Sequence, residues 1–155
     1  MLRHRWTPVL AVALALFVIN VIGRLVVLIA GVKADDEMVQ ASLYSMVAMA
    51  LVAGYAGYRW MRRYETVRVV GEVGAAIVLG CLLTTLVGPL IVGLDPFTGG
   101  FGIFIRQVGL CLGICVLGAF VGALIVLAMG QDRTSRAWKY QEQRARAKPN
   151  RAAKR

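Results

Sequence analysis

Long apolar stretches alternate with short polar connections along most of this chain. The stretches cover residues 8–32, 38–58, 69–94 and 100–129. Each is long enough to cross a bilayer as a helix, which takes about 20 apolar residues. The three connections, KADDE, RWMRRYETVR and LDPFTGG, are too short to hold a folded domain. The pattern predicts an all-α integral membrane protein, a four-transmembrane-helix bundle with short loops over residues 1–130.

The pattern changes after residue 130, where apolar residues become sparse. Residues 131–155 hold nine Lys and Arg residues and only two acidic ones. Proline lacks a backbone donor and breaks a helix interior, so Pro149 ends any helix in this segment. We expect a basic tail that is partly helical or disordered.

Composition and charge agree with a membrane protein and give it an orientation. Hydrophobic residues make up 59% of the chain, more than soluble domains carry. Fifteen of the 18 Lys and Arg residues lie in the N-terminal flank, the second connection and the tail, against Lys33 alone in the other connections. Positive residues concentrate in cytoplasmic loops, so both termini are predicted to be cytoplasmic. The excess of Arg over Lys favours a bacterial plasma (inner) membrane protein.

Residues 1–34 offer one alternative, a cleaved signal peptide. Arg3 and Arg5 precede the apolar stretch, and Val32-Lys33-Ala34 has the small-x-Ala form of a cleavage site. The apolar part of a signal peptide has roughly 7–15 residues, however, and this stretch is far longer. We therefore expect the segment to remain as the first span.

A few polar side chains lie inside the predicted spans, where they default to a functional hypothesis. The first span carries Asn20 and Arg24 one helical turn apart, and the fourth carries Arg106 and Gln107. All four lie in the outer half at comparable depth, which suggests an outer-facing polar pocket that attracts an anion or lipid headgroup. Alternatively, each arginine extends to the interface or pairs with an acid of the outer loops. The candidate acids are Asp35, Asp36, Glu37 and Asp95.

Small residues recur at spacing four on two of the spans. The fourth span holds Gly109 and Gly113, then Gly118 and Gly122, and the second span holds Ala50 and Gly54. Such spacing lets helix backbones approach closely. The faces are expected to pack within the bundle or against another membrane protein, and the sequence leaves this choice open.

The chain offers little reactive chemistry. His4 is its one histidine, which excludes a bis-histidine haem site. Cys81, Cys111 and Cys115 lie in apolar runs without a C-x-x-C pair, as small packing residues do. No nucleophile–base pair or phosphate loop is visible, so we expect neither an enzyme nor a bound metal or cofactor.

The basic tail predicts contact with the membrane surface. Each Lys or Arg near anionic lipid contributes on the order of 1 kcal/mol. This interpretation is favoured over nucleic-acid binding, which cationic segments also support. The residues expected at the lipid surface are Arg133, Arg136, Lys139, Arg144, Arg146 and Lys148.

These features favour a non-enzymatic small polytopic membrane protein. Its expected role is an accessory, assembly or scaffolding subunit of a bacterial plasma-membrane complex, with other membrane proteins or further copies of itself as partners. The alternative is a small oligomeric channel or transporter for an anionic solute or lipid headgroup. A lipid-modifying enzyme is a third and less favoured hypothesis, because no catalytic group is visible.

Overall fold

Five helices make up the described part of the chain in the computed structural model. They are α1 (Arg3–Ile29), α2 (Asp35–Met61), α3 (Thr66–Ile91), α4 (Phe101–Ala128) and α5 (Arg133–Ala147). The structure describes residues 3–29, 35–91, 93, 95–97, 100–131 and 133–147, with the backbone alone at 3–5, 35–39, 41, 133, 134 and 147. The predicted all-helical architecture is confirmed.

Three of these helices are long and apolar enough to cross a membrane. They are α1 from Trp6 onwards, α3 and α4. Among the described residues α2 is not one of these helices. The prediction of a membrane protein is therefore supported by three helices, and α2 has to be judged from its packing.

The helices associate as two parallel pairs, and the first pair is α1 with α3. Gly80 of α3 lies against Leu16, and a Cβ added at Gly80 would be 3.0 Å from the Leu16 Cδ1 atom. Gly88 meets Arg24 in the same way, two turns farther along both helices. Contacts thus advance in the same direction on α1 and α3.

The second pair, α2 with α4, is held at closer range. A Cβ added at Gly122 would collide with the backbone of Gly54, and one at Gly118 with the backbone of Ala50. A Cβ at Gly54 would lie 3.0 Å from the Gly118 carbonyl oxygen. The two main chains are therefore in direct contact, and only residues without a side chain fit at these positions.

The other small-residue pair of α4 behaves differently. No described atom lies within 4 Å of a Cβ added at Gly109 or Gly113. The same holds for Gly102, which lies two turns earlier on the same face of α4. The glycines in the half of α4 near Phe101 are therefore exposed, whereas those in the half near Ala128 pack against α2.

One link between the two pairs lies at the end of the bundle where α2 ends, α3 begins and α4 ends. We call it the arginine end, because Arg59, Arg62, Arg63 and Arg68 lie there. The carboxylate of Glu72 accepts hydrogen bonds from Arg68 Nε at 2.7 Å and from Trp60 Nε1 at 2.9 Å. Arg68 and Glu72 are four residues apart, the spacing of neighbours on one helix face, and they form an ion pair. Trp60 adds a link between α2 and α3.

Apolar side chains fill the interior and also cover the outside. The buried core runs through all four long helices. Its residues are Val9, Ala13, Leu16, Met49, Ala53, Ala56, Trp60, Met61, Val69, Val73, Ala76, Ile77, Cys81, Cys115 and Val126. Leu43, Val47 and Leu51 of α2 are exposed as well, like many apolar residues of the other long helices. Such a surface is unfavourable in water and natural in lipid.

The glycine contacts between α2 and α4 predict an asymmetric mutational response along α4. Gly122→Ala and Gly118→Ala each place a methyl group against backbone atoms and should destabilise the fold by about 1–3 kcal/mol. Gly109→Ala and Gly113→Ala meet open space and should leave the fold as stable as before or raise its stability by up to about 1 kcal/mol, because alanine is the better helix former. Unfolding in mixed detergent micelles, followed by circular dichroism, measures both. Equal losses at all four positions would contradict the described interface.

Candidate functional site

Two of the four side chains expected in a polar pocket, Asn20 and Arg24, meet on the face of α1 that packs against α3. Arg24 Nε donates a hydrogen bond to the Asn20 side-chain oxygen at 2.9 Å. Both groups lie over Gly88, where an added Cβ would be 3.2 Å from Arg24 Nε and 3.4 Å from Asn20 Oδ1. Gly88 thus provides the space that the guanidinium occupies between the helices.

The other half of the expected pocket lies elsewhere. Arg106 and Gln107 are exposed on α4, and no described contact joins them to Asn20 or Arg24. Asp95 is exposed in the connection before α4, whereas the side chains of Asp35, Asp36 and Glu37 lie outside the described residues. Equal depth along two helices therefore does not bring these four polar side chains together, because each helix is also rotated about its own axis.

Three thiols converge near the middle of α3 and α4. The sulfur atoms of Cys81, Cys111 and Cys115 all lie within 4.8 Å of one another, and the Cys81 and Cys111 sulfurs are 2.8 Å apart. Cys81 and Cys115 are buried, and Cys111 is half-buried. In the described part of the chain this is the one group of three side chains suited to a metal ion. Cys111 and Cys115 are four residues apart and therefore lie on one face of α4. Nothing in the sequence places that face of α4 beside Cys81 of α3.

The surroundings of the cluster decide its chemistry. Three thiolates are the ligands that soft ions prefer. Ligation requires deprotonation, so a monovalent ion would leave two excess negative charges and a divalent ion one. Cys81 and Cys115 share their buried cluster with apolar residues such as Leu16, Met49 and Ile77. Burying uncompensated charge there is costly. The neutral thiols suit this environment better, and so does a Cys81–Cys111 disulfide, which is also uncharged.

A cationic cavity lies at the arginine end, and we call it the arginine cleft. It has a volume of about 290 Å³ and is lined by Tyr55, Tyr58, Arg59, Arg62, Arg63 and Arg136. Arg59 Nη1 donates to the Tyr55 hydroxyl at 3.3 Å, and Arg62 Nη1 to the Tyr58 hydroxyl at 3.2 Å. Four guanidinium groups therefore line one cleft, and the described residues around it include no acidic side chain.

An apolar cavity adjoins the cleft between α2 and α4, and we call it the α2–α4 groove. Its volume is about 730 Å³. The glycines of the backbone contact, Gly54, Gly118 and Gly122, are among its lining residues, with apolar side chains from Leu43 to Ile125. Tyr55 and Tyr58 line both cavities. The groove thus leads along the helices directly to the arginine cleft.

The basic tail contributes unevenly to this site. Arg136 of α5 lines the arginine cleft, whereas Lys139 approaches the Gly130 carbonyl oxygen at 3.5 Å. Arg144 is exposed, and Arg146 pairs with Glu142 at 2.7 Å. The Arg133 side chain and all of Lys148 lie outside the described residues.

In the sequence, Arg59, Arg62 and Arg63 indicate only which side of the membrane their connection faces, and they do not mark a site. A signal was available, since Tyr55 and Tyr58 each stand four residues before an arginine, the spacing of neighbours on one helix face. The contribution of Arg136 had no such signal in the sequence, because it depends on where the start of α5 lies relative to the end of α2.

Comparison of the chain with protein-family models, curated proteins and solved structures found no match.

The thiol distances predict a specific disulfide. A membrane-permeant oxidant should take two electrons and two protons from Cys81 and Cys111, leaving one free thiol in the unfolded, maleimide-labelled chain. Cys115→Ser should still form this bond, and Cys81→Ser should retain both of its thiols. Counting maleimide adducts by mass spectrometry, with and without a reductant, measures the outcome. Retention of all three thiols by the oxidised wild-type chain would contradict the described placement of α3 beside α4.

Proposed function

We propose that this chain is a non-enzymatic small polytopic membrane protein that serves as an accessory, assembly or scaffolding subunit of a bacterial plasma-membrane complex. The observation that carries the proposal is the exposed glycine face of α4, formed by Gly102, Gly109 and Gly113. A helix can approach such a face to backbone distance, where dispersion contacts accumulate without a hydrophobic driving force.

The two halves of α4 make this argument stronger. The Gly118 and Gly122 pair already holds a helix of the same chain at backbone distance. The Gly109 and Gly113 pair has the same spacing and has nothing within 4 Å of its added Cβ atoms. A second helix, from another membrane protein or a further copy of this chain, fits the exposed pair by the same physics.

We further propose that α2 is the fourth span, with both termini in the cytoplasm. The 27 residues of α2 extend about 40 Å at 1.5 Å per residue, enough to cross a bilayer. The helix packs against α1, α3 and α4 and exposes Leu43, Val47 and Leu51. Four spans place both termini on one side, and the uneven distribution of Lys and Arg favours the cytoplasm for that side.

The arginine end then meets the anionic headgroups of the cytoplasmic leaflet. The tail arginines Arg144 and Arg146 are exposed there, as the lipid-surface proposal requires. Near such a surface each positive residue adds attraction on the order of 1 kcal/mol. This attraction fixes the bundle in the membrane while the glycine face of α4 stays available to a partner.

The alternative of an anion channel receives less support from the geometry. It depends on Arg24, Asn20, Arg106 and Gln107 acting together. Arg24 lies against Gly88 of α3, whereas Arg106 is exposed on α4. The accessory role is the better supported proposal, because it does not need these side chains to meet.

The glycine face of α4 gives the accessory proposal its test. The double variant Gly109→Leu/Gly113→Leu should lose at least about 90% of a stoichiometric protein partner, or of the homo-oligomer, because two bulky side chains keep a neighbouring helix away. Gly71→Leu/Gly74→Leu is the matched control, since those glycines on α3 also have nothing within 4 Å of an added Cβ. Affinity purification in mild detergent, with mass measurement of the complex, reads the result. A wild-type chain that purifies as a lone monomer would refute the proposal.

The proposed topology predicts where fused reporters are active. A reporter after Arg155 should be active only in the cytoplasm, and one inserted beside Asp95 only in the periplasm. An alkaline phosphatase and a fluorescent protein, fused in turn at each position, form the assay. Equal periplasmic activity at both positions would contradict four spans.

A further inference from the structure

We propose that the arginine cleft and the α2–α4 groove together form a binding site for one anionic phospholipid. The phosphate headgroup would lie among the four arginines, and an acyl chain would lie in the groove. This inference rests on the proposed membrane orientation and adds a defined site to the general lipid contact proposed above.

The four arginines of the cleft give it a strong positive charge. Arg59, Arg62, Arg63 and Arg136 converge on a cavity whose lining, among the described residues, includes no acidic side chain. Two nearby carboxylates are engaged elsewhere, Glu72 with Arg68 and Glu142 with Arg146. Four like charges around one cavity repel one another, so an anion in the cavity is stabilised by all of them. Phosphate is the favoured anion, since guanidinium binds it through two parallel hydrogen bonds.

Tyr55 and Tyr58 contact two of the four arginines of the cleft. The hydroxyls of Tyr55 and Tyr58 accept hydrogen bonds from Arg59 and Arg62 at 3.3 Å and 3.2 Å. The Arg62 guanidinium carbon also lies 5.5 Å from the centre of the Tyr58 ring. A guanidinium has five N–H donors, and each tyrosine occupies one of them. The remaining donors stay available to phosphate oxygens, on side chains whose positions are already restricted.

The groove shows why the ligand has an apolar part. It shares Tyr55 and Tyr58 with the cleft, so a molecule can occupy both cavities at once. Along α2 it is lined from Leu43 to Tyr58, a length of about 22 Å at 1.5 Å per residue. One leaflet of hydrocarbon is about 15 Å deep, so the groove is long enough for an acyl chain. The close glycine contact runs beside this groove, and Gly54, Gly118 and Gly122 are among its lining residues.

Other occupants satisfy only one of the two cavities. Inorganic phosphate matches the cleft and has no group for the groove. A zwitterionic lipid matches the groove, but its headgroup would bring a cation to four arginines. A phospholipid with net negative charge, such as phosphatidylglycerol, satisfies both.

The binding test uses the full-length chain in nanodiscs or detergent, with phosphatidylglycerol and phosphatidylcholine as competing probes in native mass spectrometry. Wild type should retain phosphatidylglycerol selectively. Arg62→Gln/Arg63→Gln should weaken that retention by about tenfold or more, because charge-assisted hydrogen bonds to phosphate are lost. Arg144→Gln/Arg146→Gln removes the same charge from exposed positions of α5 that attract the membrane surface as a whole and do not line the cleft. It should therefore change the retention of a single lipid after extraction by less than about threefold. Arg62→Lys/Arg63→Lys, which keeps the charge that orients the chain, should fall between the two.

A groove variant separates a lipid site from a phosphate site. Val121 is exposed and lines the groove. Val121→Trp should fill the groove and weaken phosphatidylglycerol retention by about tenfold, while competition by inorganic phosphate at the cleft stays as in wild type. A variant that retains lipid fully would show that only the headgroup is bound, and the lipid site would be refuted.

Two further results would overturn the proposal. Equal loss in the cleft and tail double variants would mean that diffuse charge attracts the lipid. Equal retention of the two lipids by wild type would mean that no anionic site exists. Neither result affects the accessory proposal, which is read from protein partners at Gly109 and Gly113, on the half of α4 away from the cleft.

Discussion

The direct backbone contact between α2 and α4 is the constraint on which the rest of the structure depends. Gly54, Gly118 and Gly122 leave no room for a Cβ atom, and Ala50 completes the contact. In lipid, apolar side chains gain little by leaving their solvent, so helices associate through close packing of this kind. The contact also fixes which face of each helix points outward. It therefore determines the surface that α4 leaves exposed and the shape of the groove beside it.

Three consequences follow from that fixed rotation. The exposed glycines of α4 are left for another helix, the α2–α4 groove remains beside the contact, and Cys115 is directed toward Cys81 on α3. The α1–α3 pair repeats the strategy more loosely, with Gly88 making space for the larger Arg24 side chain. An arginine inside a helix pair is costly unless it is paired, and its hydrogen bond to Asn20 provides part of that compensation. Small residues thus position both the apolar contacts and the few polar ones.

The sequence predicted what depends on local order and not what depends on helix rotation. Apolar stretch length gave the long helices, and spacing gave the Arg68–Glu72 ion pair. Depth along a helix is also readable, which is why Arg24 and Arg106 could be placed at one level. Their faces could not be deduced, because each face depends on contacts with other helices. For the same reason, the sequence could not predict that Cys81 lies beside Cys111 or that Arg136 lines the arginine cleft. α2 has the lowest apolar content of the four long helices, and the proposal that it crosses the membrane rests on its packing.

The central claim is that α2 crosses the membrane and holds α4 by its glycines. Cysteine accessibility tests it most directly, in a background with Cys81, Cys111 and Cys115 replaced by serine. Single cysteines at Gln40, Leu51 and Arg62 sample the two ends and the exposed middle of the α2 segment. With a membrane-impermeant maleimide, the account predicts labelling at Gln40 in intact cells, at Arg62 only after permeabilisation, and at Leu51 in neither case. Labelling of Gln40 and Arg62 from the same side would contradict it.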